Sequence, residues 1–240
     1  MEYRYTAIVL KKREVGETDR IYTFFTREAG KVSSIAKGVR KSQAKLAAAL
    51  ETGSRSDITV VKTRGMGKIA GAVLEQSFPG IRQNFEALRL LLETISIFDR
   101  LVEPEEKDEA LYTLLNEYLT TLEMLVATGR QDKLTLITEA WLFQLSFHLG
   151  YPLQLNVSVV SGEKLAPGER YIMSPSEGGV LGMHEAKGVN DGLVVEVDTI
   201  KLLRLFGQHR LMALAKVVVS DKTLAELQRF RTIFLTWIRR

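Results

Sequence analysis

Residues 29–50 read AGKVSSIAKGVRKSQAKLAAAL, and this stretch decides how we interpret the N-terminal third. Residues 31–37 alternate between two faces as a β-strand does, and Gly38 interrupts that pattern. Residues 44–50 are rich in alanine and predict a short helix. No acidic residue lies between Glu28 and Glu51, whereas the stretch carries five cations: Lys31, Lys37, Arg40, Lys41 and Lys45. Two interpretations stay open, a surface that follows a phosphate backbone and a solvated run of charge.

The segments around this stretch have the composition of further strands. They are rich in β-branched and aromatic residues and are separated by turn residues. The predicted strands are 4–15, 20–26, 31–37, 57–63 and 68–78. Five strands with a short helix between the third and the fourth is the order of an OB-fold, a small barrel that commonly binds oligonucleotides. We therefore predict an OB-fold nucleic-acid-binding domain over residues 1–79.

Charge is distributed unevenly along the chain. Residues 1–80 hold 15 lysines and arginines against 8 acidic residues, a net charge of +7. The remaining 160 residues hold 18 basic and 21 acidic residues, a net charge of −3. A basic segment joined to a mildly acidic one indicates an anionic polymer as the partner of the first part, and protein contacts for the second.

From residue 80 onward the apolar residues recur mostly at three and four positions, which predicts helices. The predicted helices are 81–102, 104–129, 134–149, 198–214 and 221–237, with Asp198 and Asp221 as the N-caps of the last two. Residues 153–197 contain many glycines and few helix-forming runs, which predicts turns and short strands. The fold class is therefore α+β, a five-stranded OB-fold barrel followed by a mostly helical domain, residues 80–240, that contains a small β insertion.

Composition also bears on chemistry and location. The chain has no cysteine, which excludes disulfides, thiolate metal ligands and a cysteine nucleophile. The histidines are scattered at 148, 184 and 209, and no nucleophile, base and orienting group come together, so we expect no catalysis. No apolar run has the length of about 18 residues that a membrane span needs, so we expect a cytoplasmic protein without a membrane partner.

Cations near the predicted strand ends are the candidate phosphate contacts. These candidates are Lys11, Lys12, Arg13, Lys31, Lys37, Arg40, Lys41, Lys45, Arg64 and Lys68. Tyr22 and Phe24 share one strand face, and either this face or the opposite one must pack inside the barrel. Whether these rings stack on bases is left open.

Several short motifs resemble the RecO family of bacterial recombination mediators, and they follow one another in the family's order. The N-terminal motifs are Phe24-Phe25-Thr26, Gly30-Lys31, Ala36-Lys37-Gly38, Arg40 and Lys41. Further motifs are Leu74-Glu75, Phe78, Leu149-Gly150-Tyr151-Pro152, Ser174-Pro175 and Gly178-Gly179-Val180-Leu181. The resemblance extends over essentially the whole chain.

The resemblance implies a mediator of the bacterial cytosol or nucleoid that binds single- and double-stranded DNA and anneals complementary strands. It also implies contact with RecR and with the acidic C-terminal tail of single-stranded DNA-binding protein, and help in loading RecA recombinase. Many members of the family carry a zinc module built on cysteine pairs. The aligned positions in this chain are Ser158, Ser161, Gly182 and Glu185, which supply no thiolate, so we expect no zinc and no other cofactor.

A tail-binding pocket would need an apolar floor and a basic rim. We predict it at Arg130, Lys133, Leu134 and Ile137, although an ordinary charged helix start explains the same residues. Two other functions remain alternatives, a single-stranded RNA-binding OB module and a scaffold whose basic face meets an acidic protein.

Overall fold

A computed structural model describes residues 1–39, 46–62, 65–104, 106–166 and 169–239. Close packing divides the chain into two compact units, Met1–Leu134 and Thr135–Arg240. No helix in the described ranges is both long enough and apolar enough to cross a membrane. The predicted domain boundary at residues 79 and 80 stays a prediction.

The first unit begins with a closed barrel of five strands. The strands are β1 (Glu2–Val15), β2 (Asp19–Thr26), β3 (Gly30–Ala36), β4 (Arg55–Val61) and β5 (Gly67–Gln76). Their order around the barrel is β1-β2-β3-β5-β4, in which only the β3–β5 contact is parallel. The predicted OB-type barrel is therefore confirmed. Of the predicted helix at 44–50, the structure describes one 3-10 turn, Ala48–Leu50, and residues 44 and 45 lie outside the described ranges.

Apolar side chains from alternate strand positions fill the barrel. Tyr22 and Phe24 of β2 are at most 1% exposed and lie in this core, with their rings 6.0 Å apart. Phe25, on the opposite strand face, is also buried, because it packs edge-on against Phe98 of a helix at 4.9 Å. Gly30 opens β3 with a φ of +64°, a conformation that favours glycine. Both faces of β2 are therefore covered at these aromatic positions.

Three helices complete the first unit, namely α1 (Pro79–Gln83), α2 (Phe85–Leu101) and α3 (Glu109–Ala127). The prediction of one helix over residues 81–102 was wrong, because the chain breaks at Asn84. The Asn84 side chain accepts a hydrogen bond from the Ala87 N–H at 2.9 Å and so caps α2. Asp108 caps α3 in the same way through the Leu111 N–H at 2.8 Å, so this helix starts later than predicted.

The second unit contains most of the remaining helices and a small antiparallel sheet. The helices are α4 (Leu134–His148), α5 (Val197–Gln208), α6 (Leu211–Leu214) and α7 (Asp221–Ile238). The strands are β6 (Arg170–Ser174), β7 (Gly179–Gly182) and β8 (Leu193–Glu196), in the order β7-β6-β8. This sheet confirms the predicted β insertion in a helical region.

Aromatic packing forms the core of the second unit. Phe143 of α4 stacks on Phe230 and Phe234 of α7, each with ring centroids 6.1 Å away. Two predicted N-caps were wrong. Asp198 lies in the first turn of α5, which begins at Val197, and it is the Ser220 hydroxyl that caps α7, by accepting the Thr223 N–H at 3.1 Å. The helix predicted over residues 198–214 is two helices, α5 and α6.

Candidate nucleic-acid interface

Strand register places several candidate cations on one outer face of the barrel. Residues paired across neighbouring strands point to the same side of a sheet. Arg13 pairs with Ile21, Ile21 with Ile35, and Ile35 with Lys68. Because Tyr22 and Phe24 point inward, this row points outward, and its two ends are exposed cations. We call the outer side of β1, β2, β3 and β5 the outer face.

A second row of the outer face runs parallel to the first. Lys11 pairs with Thr23, and Thr23 with Ser33, and the Thr23 and Ser33 hydroxyl oxygens lie 3.1 Å apart. Lys31, two residues before Ser33, also points to this side. The outer face therefore combines cations with small hydroxyl side chains on neighbouring strands.

Lys37 and Lys68 lie close to the carboxylate of Asp19, at one end of the outer face. The Gly38 N–H donates to Asp19 Oδ1 at 2.8 Å, and this hydrogen bond is the largest cause of the lowered pKa of Asp19. The positive charges of Lys37 and Lys68 lower that pKa further. Both lysines are exposed, so they are available to an anionic ligand.

At the other end of the outer face, two of the candidate cations, Lys11 and Lys31, contact Asp99 of α2. Lys11 Nζ lies 2.6 Å from Asp99 Oδ2, although the Lys11 side chain remains 57% exposed. Lys31 Nζ donates to the Asp99 carbonyl oxygen at 2.7 Å and is only 13% exposed. Lys31 therefore joins the barrel to α2, and less of it is accessible than the sequence suggests.

The other candidate contacts are placed as follows. Lys12 points away from the outer face and donates to the Glu51 carboxylate at 2.8 Å. The remaining four, Arg40, Lys41, Lys45 and Arg64, lie outside the described residues. That any of these side chains contacts DNA stays a prediction.

Residues of the first unit that the sequence did not nominate also lie near the candidate cations Lys11 and Lys31. Lys62 follows β4 and is exposed, and the rings of Tyr3 and Tyr5 stack at 6.1 Å. A pair of aromatic residues two positions apart on a strand is a signal for such stacking, since both point to the same side. The position of Asp99 opposite Lys11 had no comparable local signal.

The predicted tail-binding residues are less accessible than a pocket requires. Leu134 and Ile137 are at most 1% exposed, and Lys133 lies 3.3 Å from the Asp132 carboxylate with 19% of its side chain exposed. As they stand, the two apolar side chains offer no exposed floor to a peptide. The assignment of Arg130 and these residues to a peptide site stays a prediction.

Three of the four positions that the sequence resemblance aligns with zinc ligands, namely Ser158, Ser161 and Gly182, hydrogen-bond to the carboxylate of the fourth, Glu185. Ser158 Oγ and the Gly182 N–H donate to Glu185 Oε2 at 2.7 and 2.5 Å. Hydrogen bonds from Ser161, Ser158 and Gly182, in that order of size, lower the pKa of Glu185 to about 2. Structural zinc sites are built mainly from thiolate and imidazole ligands, whereas here two hydroxyls and a backbone amide donate to a single carboxylate. These residues do not fit zinc, and no set of three or more metal-ligating side chains occurs in the described residues.

Comparison with known proteins assigns the family. The sequence model described as recombination protein O N terminal matches residues 1–78, and that described as recombination protein O C terminal matches residues 82–237. A Dehalococcoides mccartyi protein named DNA repair protein RecO is 26% identical over 95% of this chain and 87% of its own length. A Myxococcus xanthus protein of the same name is 31% identical over 73% of this chain and 69% of its own length. The chain therefore belongs to the recombination protein O (RecO) family.

Proposed function

We propose that this protein is a DNA repair and recombination mediator that binds single- and double-stranded DNA through the outer face of the barrel. In this proposal it anneals complementary strands, contacts RecR and single-stranded DNA-binding protein, and helps to load RecA recombinase. It does this without catalysing a chemical reaction. The main support for DNA binding is the row of paired residues Arg13–Ile21–Ile35–Lys68. Strand register places an exposed cation at each end of this row, on one face of the barrel.

The spacing of cations on the outer face suits a phosphate backbone. Arg13, Lys37 and Lys68 are exposed, and each can neutralise a phosphate and release its condensed counterion. Such contacts give affinity without base-sequence preference, because phosphates carry no sequence information. A protein that must act on any damaged sequence requires this kind of binding.

A salt titration tests the DNA half of the proposal. With four to six phosphate contacts, log affinity for a single strand should fall against log salt with a slope of about −3 to −4. The double variant R13E/K68E should lower the magnitude of the slope by about 1.4, because two contacts of about 0.7 each are lost. R4E is the matched control, since Arg4 is an exposed cation of the same barrel whose register partner, Thr59, lies on β4. A slope near zero in the unaltered protein would refute the outer face as the interface.

The proposed role as a recombination mediator rests on membership of the RecO family. Annealing of complementary oligonucleotides, with and without single-stranded DNA-binding protein, measures it directly. We expect annealing to persist on protein-coated strands and to be weaker in R13E/K68E than in R4E. Charge reversal at Arg130 and Lys133 that leaves capture of the tail peptide unchanged would discard the predicted peptide site.

A further inference from the structure

A cleft opens in the first unit where β3 and β5 separate. The two strands pair only at Ser34–Gly67 and Ile35–Lys68, although β3 begins at Gly30. The backbone of Lys31 instead bridges to Pro104, so the first half of β3 has no contact with β5 in the ladder. The cleft measures about 450 Å³, within the range of about 300–1,000 Å³ typical of small-ligand sites.

One wall of the cleft is apolar and aromatic. Tyr5, Val32 and Val60 line it, and all three pack on or belong to the barrel core. Tyr5 also stacks on Tyr3, which is 36% exposed, at an angle of 6° between ring planes. Met66, which is 49% exposed, lies at the rim. Flat apolar walls of this kind suit a planar ring.

Hydroxyl groups also line the cleft. Thr23, Ser33 and Ser34 line it, and each hydroxyl can donate or accept a hydrogen bond. Groups that rotate to suit either role can satisfy the edge of any of the four bases. These hydroxyl groups therefore make part of the lining polar without making it selective for one base.

The charges that line the cleft favour a neutral base over a phosphate as its occupant. Lys11, Lys31 and Lys62 line the cleft, and so does the carboxylate of Asp99, which is only 14% exposed. Asp99 already pairs with Lys11 at 2.6 Å and lies 3.9 Å from Lys31 Nζ, so an anion deep in the cleft would have to compete with this carboxylate for the same cations. A neutral ring needs no such competition, and the exposed Lys62 remains available to a phosphate beside it.

We propose that this cleft accepts an unpaired nucleobase of a bound DNA strand, with Tyr5 in its apolar wall and Lys11 and Lys62 beside the flanking phosphates. The proposal rests on the proposed DNA binding and adds a base contact to it. Bases of a duplex are stacked and paired, so the cleft makes the protein bind single strands more tightly than duplexes. It also gives a strand-annealing protein a place to hold a base before it pairs.

An oligonucleotide without bases provides the decisive test. We would compare oligothymidylate of about 12 nucleotides with the same strand made abasic at its central positions, by fluorescence anisotropy at one salt concentration. Because stacking of a base on an aromatic side chain strengthens binding, the abasic strand should bind about tenfold more weakly. Equal affinity for the two strands would refute base binding in the cleft, but it would not contradict phosphate binding by the outer face. Binding of neither strand would overturn both proposals.

Variants of the cleft sharpen the test. Y5L retains apolar bulk in the wall but removes the ring, and it should bring the ratio of the two affinities towards one. F85L is the matched control, because Phe85 is 82% exposed on α2 and does not line the cleft, and it should keep the ratio of the unaltered protein. Photocrosslinking of the unaltered protein to a strand that carries 5-iodouracil provides a measurement that does not depend on folding of a variant. Crosslinks should map to Tyr5 or Met66, and crosslinks confined to the helices would refute the cleft.

Discussion

The barrel and the small sheet of the second unit use charged side chains in opposite ways. In the barrel, Arg13 and Lys68 point outward from strands whose inward side chains are apolar. Around the small sheet, acidic side chains accept hydrogen bonds from serine hydroxyls and backbone N–H groups of the same region. Glu185 accepts from Ser158 and Gly182, and Asp191 accepts from the Ser174 and Ser176 hydroxyls and from the Ser176 N–H.

This difference indicates which region has charge available for a ligand. A carboxylate that already accepts two or three hydrogen bonds gains little from a new partner, and its bonds hold a glycine-rich segment together. An exposed cation above an apolar core contributes little to stability and remains available to an anion. We therefore expect substitutions in the two regions to separate stability from binding.

The largest expected effect is on the barrel core. Phe24 is fully buried beside Tyr22, and F24A should lower the free energy of unfolding of the barrel by about 3–5 kcal/mol. Hydrogen exchange measured by mass spectrometry on peptides from residues 1–39 would report this loss. F85A removes the same side chain at a position 82% exposed and should change stability by less than about 0.5 kcal/mol. Equal losses in the two variants would contradict an apolar core as the source of barrel stability.

A smaller effect is expected in the small sheet. E185Q removes the charge on which the hydrogen bonds of Ser158 and Gly182 converge, and it should lower the opening free energy of β6 and β7 by about 1 kcal/mol. Glu185 is partly exposed, so solvent screening keeps the loss small. Amide exchange in residues 170–182 measures it. E177Q changes an exposed glutamate of the turn between β6 and β7 and should leave exchange unaltered.

The pH dependence of E185Q sharpens the same comparison. The pKa of Glu185 is about 2 in the folded chain and 4.5 as its ordinary value, so the folded state favours the charged form. Its contribution is therefore fully present above about pH 4.5 and is lost as the pH falls towards 2. The stability difference between the unaltered protein and E185Q should shrink over that window. A difference that stays constant across it would show that the charge of Glu185 does not stabilise the sheet.

The sequence predicted the barrel because alternation, glycine turns and strand order are local signals. It did not predict which face of β2 is buried, because both Phe24 and Phe25 are covered. Phe25 is covered by Phe98, which lies 73 positions further along the chain, and no local pattern reports such a contact. The predicted starts of two helices were wrong for a related reason. Asp221 and Ser220 are both good N-caps, and backbone geometry at the turn selected the serine.

The candidate interface could be predicted only in part. The enrichment of cations was visible in the sequence, but the row from Arg13 to Lys68 depends on the register of four strands. The cleft beside Tyr5 depends on where β3 and β5 part, which is a property of barrel closure. Strand pairing of this kind is set by the whole barrel, so composition indicated the type of partner and only the fold indicated the place.

Some cations of the barrel are also satisfied internally, as the carboxylates of the small sheet are, and Lys11 beside Asp99 of α2 is one of them. Asp99 pairs with Lys11 at 2.6 Å and lies 3.9 Å from Lys31 Nζ. D99N should release Lys11 for a phosphate, while the bond from Lys31 to the Asp99 carbonyl oxygen remains because it uses the backbone.

We expect D99N to tighten binding of single-stranded DNA by about two- to fivefold, because an exposed ion pair is worth at most about 1 kcal/mol. The salt dependence should steepen by about 0.7, the contribution of one added phosphate contact. E93Q is the control on the same helix, since Glu93 pairs with Arg89 at 3.2 Å and its loss changes the net charge equally. An equal gain in both variants would mean that long-range charge alone sets the affinity. A gain confined to D99N would show that Asp99 competes with DNA for Lys11, and that the barrel limits its own affinity at that position.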